Sequence, residues 1–180
     1  MNLIIIGMRG AGKSNVSRRL SVLAKRTVMC TDVLIEYENG GRSISQILDD
    51  GGGDWRAFRD MEYAVVKKVA AMTNVIVDCG GGVIVDLDEN GEEIFSERKV
   101  AELKKTGTII WLKGDLKRLA RKAAKKTEQR PTLDAQKSTE EIMRRRLPFY
   151  QRAADVVIDI EGKDRQVLAE KIFGQFETRL

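Results

Sequence analysis

The sequence predicts an α/β fold of three layers, a five-stranded parallel sheet covered on both faces by helices. Three observations carry this. Five short apolar runs, at 3–6, 28–30, 75–77, 108–112 and 156–158, alternate with stretches of helical periodicity. The runs are apolar at consecutive positions, as strands buried on both faces are, and that is the habit of parallel sheets. The first run passes straight into Gly7-Met8-Arg9-Gly10-Ala11-Gly12-Lys13-Ser14 and then into a helical pattern. Strand, glycine turn and helix form the context in which G-x-x-x-x-G-K-S/T wraps a phosphate.

Each element has its own signal. Val16, Leu20 and Leu23 recur at helical spacing over 13–25, and the second strand ends at Thr31-Asp32. A short helix over 33–38 is closed by Asn39-Gly40-Gly41, and another carrying Ile44, Ile47 and Leu48 is stopped by Gly51-Gly52-Gly53. Trp55, Phe58, Met61, Val65, Val66 and Val69 mark a long helix running to about Met72. The third strand leads to Asp78-Cys79-Gly80-Gly81-Gly82. The polar stretch 86–93, with Asn90-Gly91 as its turn signal, reads as a surface excursion. A helix through Val100 and Leu103 precedes strand four, and a strongly basic helical stretch over 116–126 follows it, running into a polar loop at 127–134. A helix from about Thr139 carries Ile142, Met143 and Leu147 and is expected to end near Pro148. After strand five, Leu168, Ile172, Phe173 and Phe176 give a closing amphipathic helix. No repeat or linker interrupts the pattern, so residues 1–180 read as one domain.

The composition narrows the chemistry. The chain has 180 residues, 42% hydrophobic and 33% charged, with no apolar run approaching the roughly 20 residues of a membrane span. Nothing at the N-terminus reads as an export signal, and two cysteines make no disulfide framework, so a cytoplasmic setting is expected. Histidine is absent, which excludes imidazole acid–base catalysis, Ser/His/Asp triads and histidine metal sites. The net charge of +5 raises nucleic acid as a partner, but with aromatics at 6% the basic residues suit small anions equally well, and no nucleic-acid partner is expected.

Ligands of parallel sheets collect at the carboxyl ends of the strands. Four chemically suggestive features lie there. In the phosphate loop, successive backbone N–H groups turn inward, Lys13 reaches the outer phosphates and Ser14 offers a hydroxyl to Mg²⁺. Asp32, after strand two, either orients a substrate hydroxyl or caps the helix beginning at Val33. Asp78 ends strand three, where such proteins keep a metal-directed carboxylate, and Gly80–Gly82 removes side chains where something approaches the backbone. Arg130, before Pro131, sits in a basic loop of the length used for lids, about 118–134. Arg59 and Glu62, spaced i, i+3, can pair, an arrangement that is ordinarily solvated. Arg146, beside Pro148, offers a planar guanidinium to a carboxylate or phosphate.

Taken together, these residues resemble the shikimate kinases, small members of the nucleoside-monophosphate-kinase-like P-loop group. The resemblance rests on Gly7–Ser14, Thr31-Asp32-x-x-Ile35-Glu36, Gly41-Arg42-Ser43-Ile44, Phe58-Arg59-x-x-Glu62, Gly80-Gly81-Gly82, Arg130-Pro131 and Arg146-x-Pro148-x-Tyr150. It implies a P-loop kinase fold with a mobile lid, and transfer of a phosphoryl group from MgATP to the 3-hydroxyl of shikimate; a monomer is expected. ATP is then expected on Gly10, Ala11, Gly12, Lys13, Ser14, Asn15 and Arg130. Shikimate is expected on Asp32, Arg59, Glu62, Gly80, Gly81, Gly82 and Arg146. Asp32 would activate the accepting hydroxyl, with Lys13 and Arg130 stabilising the transferring group. Arg59 and Arg146 would clamp the substrate carboxylate, with Glu62 steadying Arg59.

The chain also departs from the family's pattern. A second aspartate that the family carries two positions before Asp32 is Cys30 here, and Asp78 stands where the family has a small residue, so Ser14 and Asp78 are the expected metal-directed pair. Trp55 replaces a glutamate, and the excursion at 86–97 and the lid are longer than usual, though expected to lie clear of the core set. Other readings are a kinase of gluconate or of a nucleoside monophosphate, and a nucleotide-binding regulatory module with impaired catalysis.

Overall fold

The computed structural model describes residues 1–125 and 138–177. In chain order the elements are β1 (Asn2–Ile6), α1 (Lys13–Ala24), β2 (Val28–Cys30), α2 (Thr31–Glu38), α3 (Ile44–Asp50), α4 (Trp55–Ala70), β3 (Ile76–Asp78), β4 (Val85–Leu87), β5 (Glu93–Phe95), α5 (Glu97–Thr106), β6 (Gly107–Lys113), α6 (Leu116–Ala124), α7 (Thr139–Ala153), β7 (Val156–Asp159) and α8 (Arg165–Phe176).

Five strands form one parallel sheet in the order β2-β3-β1-β6-β7. β1 lies at its centre, and all five of its residues are buried. That is why its sequence is apolar throughout rather than alternating. The chain moves outward from β1 to β2, then back through β3, β6 and β7. With right-handed crossovers, that reversal places α1 on one face and α4 and α5 on the other. Accordingly α1 packs against α8, and α4 against α5. The switch in direction opens a crevice at the carboxyl end of β1, where ligands bind in sheets of this kind.

Local chemistry sets the boundaries. Asp54, Ser96, Asp115 and Asp164 cap α4, α5, α6 and α8, each accepting a backbone N–H of the first turn. Ser43 with Gln46 and Ser138 with Glu141 form full capping boxes.

Three expectations need correction. α2 begins at Thr31, so Asp32 sits inside its first turn, and the N-cap is Cys30. α7 does not stop near Pro148 but runs through it to Ala153. A proline in mid-helix forfeits one hydrogen bond, and here Tyr150, wholly buried and stacked on Trp111 at 5.7 Å, anchors the final turn against the sheet. The polar stretch after the glycine triplet is an antiparallel hairpin, β4 with β5, and Glu93 at its heart is buried. The turn signal Asn90-Gly91 was legible, but the destination of Glu93 depends on partners far away in the chain.

Candidate active site

A cavity of about 510 Å³ opens at the carboxyl end of the sheet. Gly10, Gly12, Lys13, Ser14, Asn15, Asp32, Arg59, Glu62, Gly81, Gly82 and Arg146 all line it. Ala11, within the loop, is fully buried and does not line the cavity. Gly80 and Asp78 are buried and do not line the cavity. Arg130 lies outside the described residues, as does the second half of the expected lid, while its first half is the end of α6.

The phosphate loop follows from its glycines. Gly12 caps α1 at φ +87°, a left-handed conformation that other residues reach at a cost. A Cβ there would also lie 2.4 Å from the Arg165 Nε, so that arginine would have to move aside. Lys13 Nζ donates to the carbonyls of Gly7 at 2.8 Å and Met8 at 3.3 Å, which folds the side chain back over the loop. The first turn of α1 therefore points its N–H groups and its positive dipole end into the cavity.

The glycine triplet has a specific cause. A Cβ on Gly80 would fall 2.2 Å from Asp32 Oδ1, and one on Gly82 would fall 2.5 Å from Arg59 Nη1. Gly81 has no neighbour closer than 3.6 Å to such a Cβ. What approaches this backbone is thus the protein's own carboxylate on one side and its own guanidinium on the other. The Gly80 N–H also donates to Thr31 Oγ1 at 2.8 Å, tying the triplet to the first turn of α2 where Asp32 stands. An aspartate in a helix's first turn is favoured as the ionised form by the helix dipole.

Arg59 and Glu62 are not a solvated pair. Arg59 Nη1 lies 3.0 Å from Glu62 Oε2, and the two side chains are 4% and 2% exposed. Lys99 of α5, wholly buried, donates from Nζ to the same Glu62 oxygen at 2.5 Å and to the Val85 carbonyl at 2.5 Å. Burial alone would raise the Glu62 carboxyl, but Lys99 and Arg59 outweigh it and hold it below the usual range. Trp55 and Phe58 complete the surroundings, the Arg59 guanidinium carbon lying 5.4 Å and 5.7 Å from their ring centroids.

Arg146 faces the same cavity from α7. Its Nε donates to both oxygens of Glu93, at 3.1 and 3.0 Å, and its Nη2 donates to Glu93 Oε1. The hairpin at 86–97 was expected to lie clear of this set. It instead delivers the carboxylate that holds Arg146, with Arg145 on the same group at 3.0 Å. Lys99 and Glu93 are the residues that the sequence did not disclose. A lysine in the charged run Glu97-Arg98-Lys99 and a glutamate in a polar stretch both look like solvated surface.

The donors suit a magnesium ion bound mainly through nucleotide phosphates. Among the described residues no cluster of three or more carboxylates or thiols forms a metal cage. Asp78 Oδ1, however, is buried without a hydrogen-bond partner. A carboxylate oxygen left in that state is costly unless a cation or its water satisfies it. Cys30, beside Asp78 across the β2–β3 ladder, has its thiol pushed up by burial and by Asp78 and Asp32, which makes it a poor substitute for a carboxylate.

With loop amides turned toward phosphate on one wall and two braced guanidinium groups on the other, the cavity suits phosphoryl transfer to a small anionic acceptor, and the fold is that of the P-loop kinases. The family model for shikimate kinase matches residues 9–177, and the chain belongs to the shikimate kinase family. A shikimate kinase of Leptospira biflexa is 41% identical over 172 residues, 96% of this chain and 93% of the relative. One of Leptospira borgpetersenii is 35% identical over 176 residues, 98% of each. The fold is shared with the shikimate kinase of Acinetobacter baumannii solved in complex with shikimate, at a TM-score of 0.81 and 23% identity, covering 99% of this chain and 93% of that one. Among the described residues no helix is long and apolar enough to cross a membrane.

Proposed function

We propose that the protein transfers the terminal phosphoryl group of ATP to the 3-hydroxyl of shikimate, giving shikimate 3-phosphate and ADP on the route to chorismate and the aromatic amino acids. The observation that carries this reading is one cavity lined by the phosphate loop, Asp32, Arg59 and Arg146 together. The phosphate loop offers one anion site and the two arginines another, and the Asp32 carboxylate in the same cavity fits an acceptor hydroxyl.

The roles follow from charge. The loop amides, Lys13 and the first turn of α1, with Ala11 and Asn15 shaping the loop, hold the phosphates of ATP. Arg59 and Arg146 pair with the substrate carboxylate, and Gly81 lets that substrate lie against backbone, while Gly80 and Gly82 make room for Asp32 and Arg59. Asp32 orients the accepting hydroxyl and takes its proton as the phosphoryl group moves. Arg130, from the lid, meets charge on the transferring group. Magnesium would supply charge neutralisation at the phosphates, with Ser14 in the cavity wall and Asp78, buried outside the lining, as the residues that would hold it. Phosphoryl transfer asks mainly for positioning and charge neutralisation, and this chain provides both without histidine.

Gluconate and nucleoside monophosphates are weaker candidates. Two arginines in the cavity wall suit an acceptor with a carboxylate, which a nucleoside monophosphate lacks. We further assign the protein to the cytoplasm, acting as a monomer of one domain, with no nucleic-acid partner. The direct test is incubation with MgATP and shikimate followed by phosphorus NMR. A phosphate ester at position 3 is expected, and absence of any ester with active protein would reject the assignment.

A further inference from the structure

Arg146 lines the cavity, whereas Glu93 stands behind it. Glu93 takes the Nε–H and one Nη2 hydrogen of the guanidinium. That is the side edge of the group. Of five N–H donors on an arginine, it leaves the two on Nη1 and one on Nη2. Among the described residues Nη1 has only a long contact, 3.5 Å to the Gly81 carbonyl. The arrangement repeats what Glu62 does for Arg59, with a buried carboxylate fixing an arginine from the rear.

The hairpin that brings Glu93 is itself tied down. Val85 of β4 accepts from Lys99, and Asp86 accepts from Arg98 Nε and Nη2 at 2.9 and 2.8 Å and from Ser96 Oγ at 2.7 Å. Its turn is closed by Gly91 N donating to the Asp88 carbonyl at 3.0 Å. Lys99 also binds Glu62, so β4 is braced to the Arg59 side of the cavity while β5 is braced to the Arg146 side. Opposite charges on Arg146 and Arg145 overcome the effect of burial and keep Glu93 ionised to lower pH than an ordinary glutamate.

We infer that Glu93 is a positioning residue for substrate recognition, holding the Arg146 guanidinium so that its free edge meets the acceptor's carboxylate. The inference rests on the assignment of shikimate as acceptor. Without Glu93, Arg146 would keep its charge but lose its fixed orientation. A charge-assisted contact of this kind is worth a factor of roughly ten in binding.

The test is steady-state kinetics on Glu93→Gln and Glu93→Asp, varying shikimate and ATP separately, each also in an Arg146→Ala background. The shikimate KM is expected to rise roughly tenfold in Glu93→Gln, with kcat and the ATP KM within about twofold of wild type. Glu93→Asp, which keeps the charge on a shorter stem, should fall between and serves if the glutamine variant does not fold. In the Arg146→Ala background the same changes should add little, because the two residues act as one unit. An unchanged shikimate KM, or an equal rise with and without Arg146, would overturn the positioning role. Failure of the wild type to turn over shikimate at all would instead reject the acceptor assignment and this role with it.

Discussion

Lys99 Nζ lies 2.5 Å from Glu62 Oε2, with both side chains shut off from water, although 37 residues separate them in the chain. Glu62 therefore carries two cations on a single oxygen, one structural and one aimed into the active-site cavity. Burial pulls Lys99 below its ordinary value while Glu62 pulls it back. Breaking a buried pair by removing one partner strands the other charge, at about 3–5 kcal/mol. Lys99→Met is expected to lower the thermal midpoint by on the order of 10 °C and to raise the shikimate KM by freeing Arg59. Adding Glu62→Gln should recover part of the stability but none of the binding. Scanning calorimetry with kinetics on the single and double variants decides it. A double variant less stable than the sum of its parts would contradict the pairing.

The glycine triplet makes a position-specific prediction. Gly80→Ala pushes against Asp32 and should lower kcat, whereas Gly82→Ala pushes against Arg59 and should raise the shikimate KM. If both alanines affect the same constant equally, the two approaches are not what the triplet accommodates.

Asp32→Asn keeps the shape of the side chain but cannot take a proton. It should lower kcat by about 10²-fold or more while shifting shikimate binding, measured by calorimetry, only a few-fold. A parallel loss of binding and turnover would make Asp32 a simple contact.

The unpartnered oxygen of Asp78 predicts a metal phenotype. Asp78→Ala should require several-fold more Mg²⁺ for half-maximal rate at saturating ATP. An unchanged magnesium titration would remove Asp78 from the metal's surroundings.

Acid should destabilise the fold in a defined window. Glu62 and Glu93, ordinarily near 4.5, and Asp86, ordinarily near 3.8, are all held lower in the folded chain by their cationic partners. The unfolded chain thus binds their protons first as pH falls. The stability they contribute is whole above the unfolded values and is lost as pH drops through the folded ones. With no histidine to titrate, the thermal midpoint should be level from about pH 6 to 8 and fall below about 4.5. A midpoint that holds to pH 3 would contradict the buried network.

Much of this was legible in the sequence, for a physical reason. The phosphate loop, the triplet and the Arg59–Glu62 pair are local, and their chemistry follows from spacing along one element. Consecutive apolar residues likewise announce the buried strands β1 and β3, whereas β2 and β7 at the sheet's edges are only partly buried, with Val157 exposed. Lys99, Glu93 and the continuation of α7 past Pro148 depend on contacts made elsewhere. Arg146 lies 53 residues from Glu93, and nothing near either residue marks the partner. The glycines could be read as room for something, but only the folded chain shows that the room is taken by Asp32 and Arg59.

Shikimate as the acceptor defines the enzyme. It is tested most directly by initial rates of ADP release with shikimate, gluconate and AMP side by side, at saturating MgATP. Robust turnover is expected with shikimate, cut about 10²-fold or more by Asp32→Asn, and background rates with the other two. Turnover with gluconate or AMP and none with shikimate would contradict it.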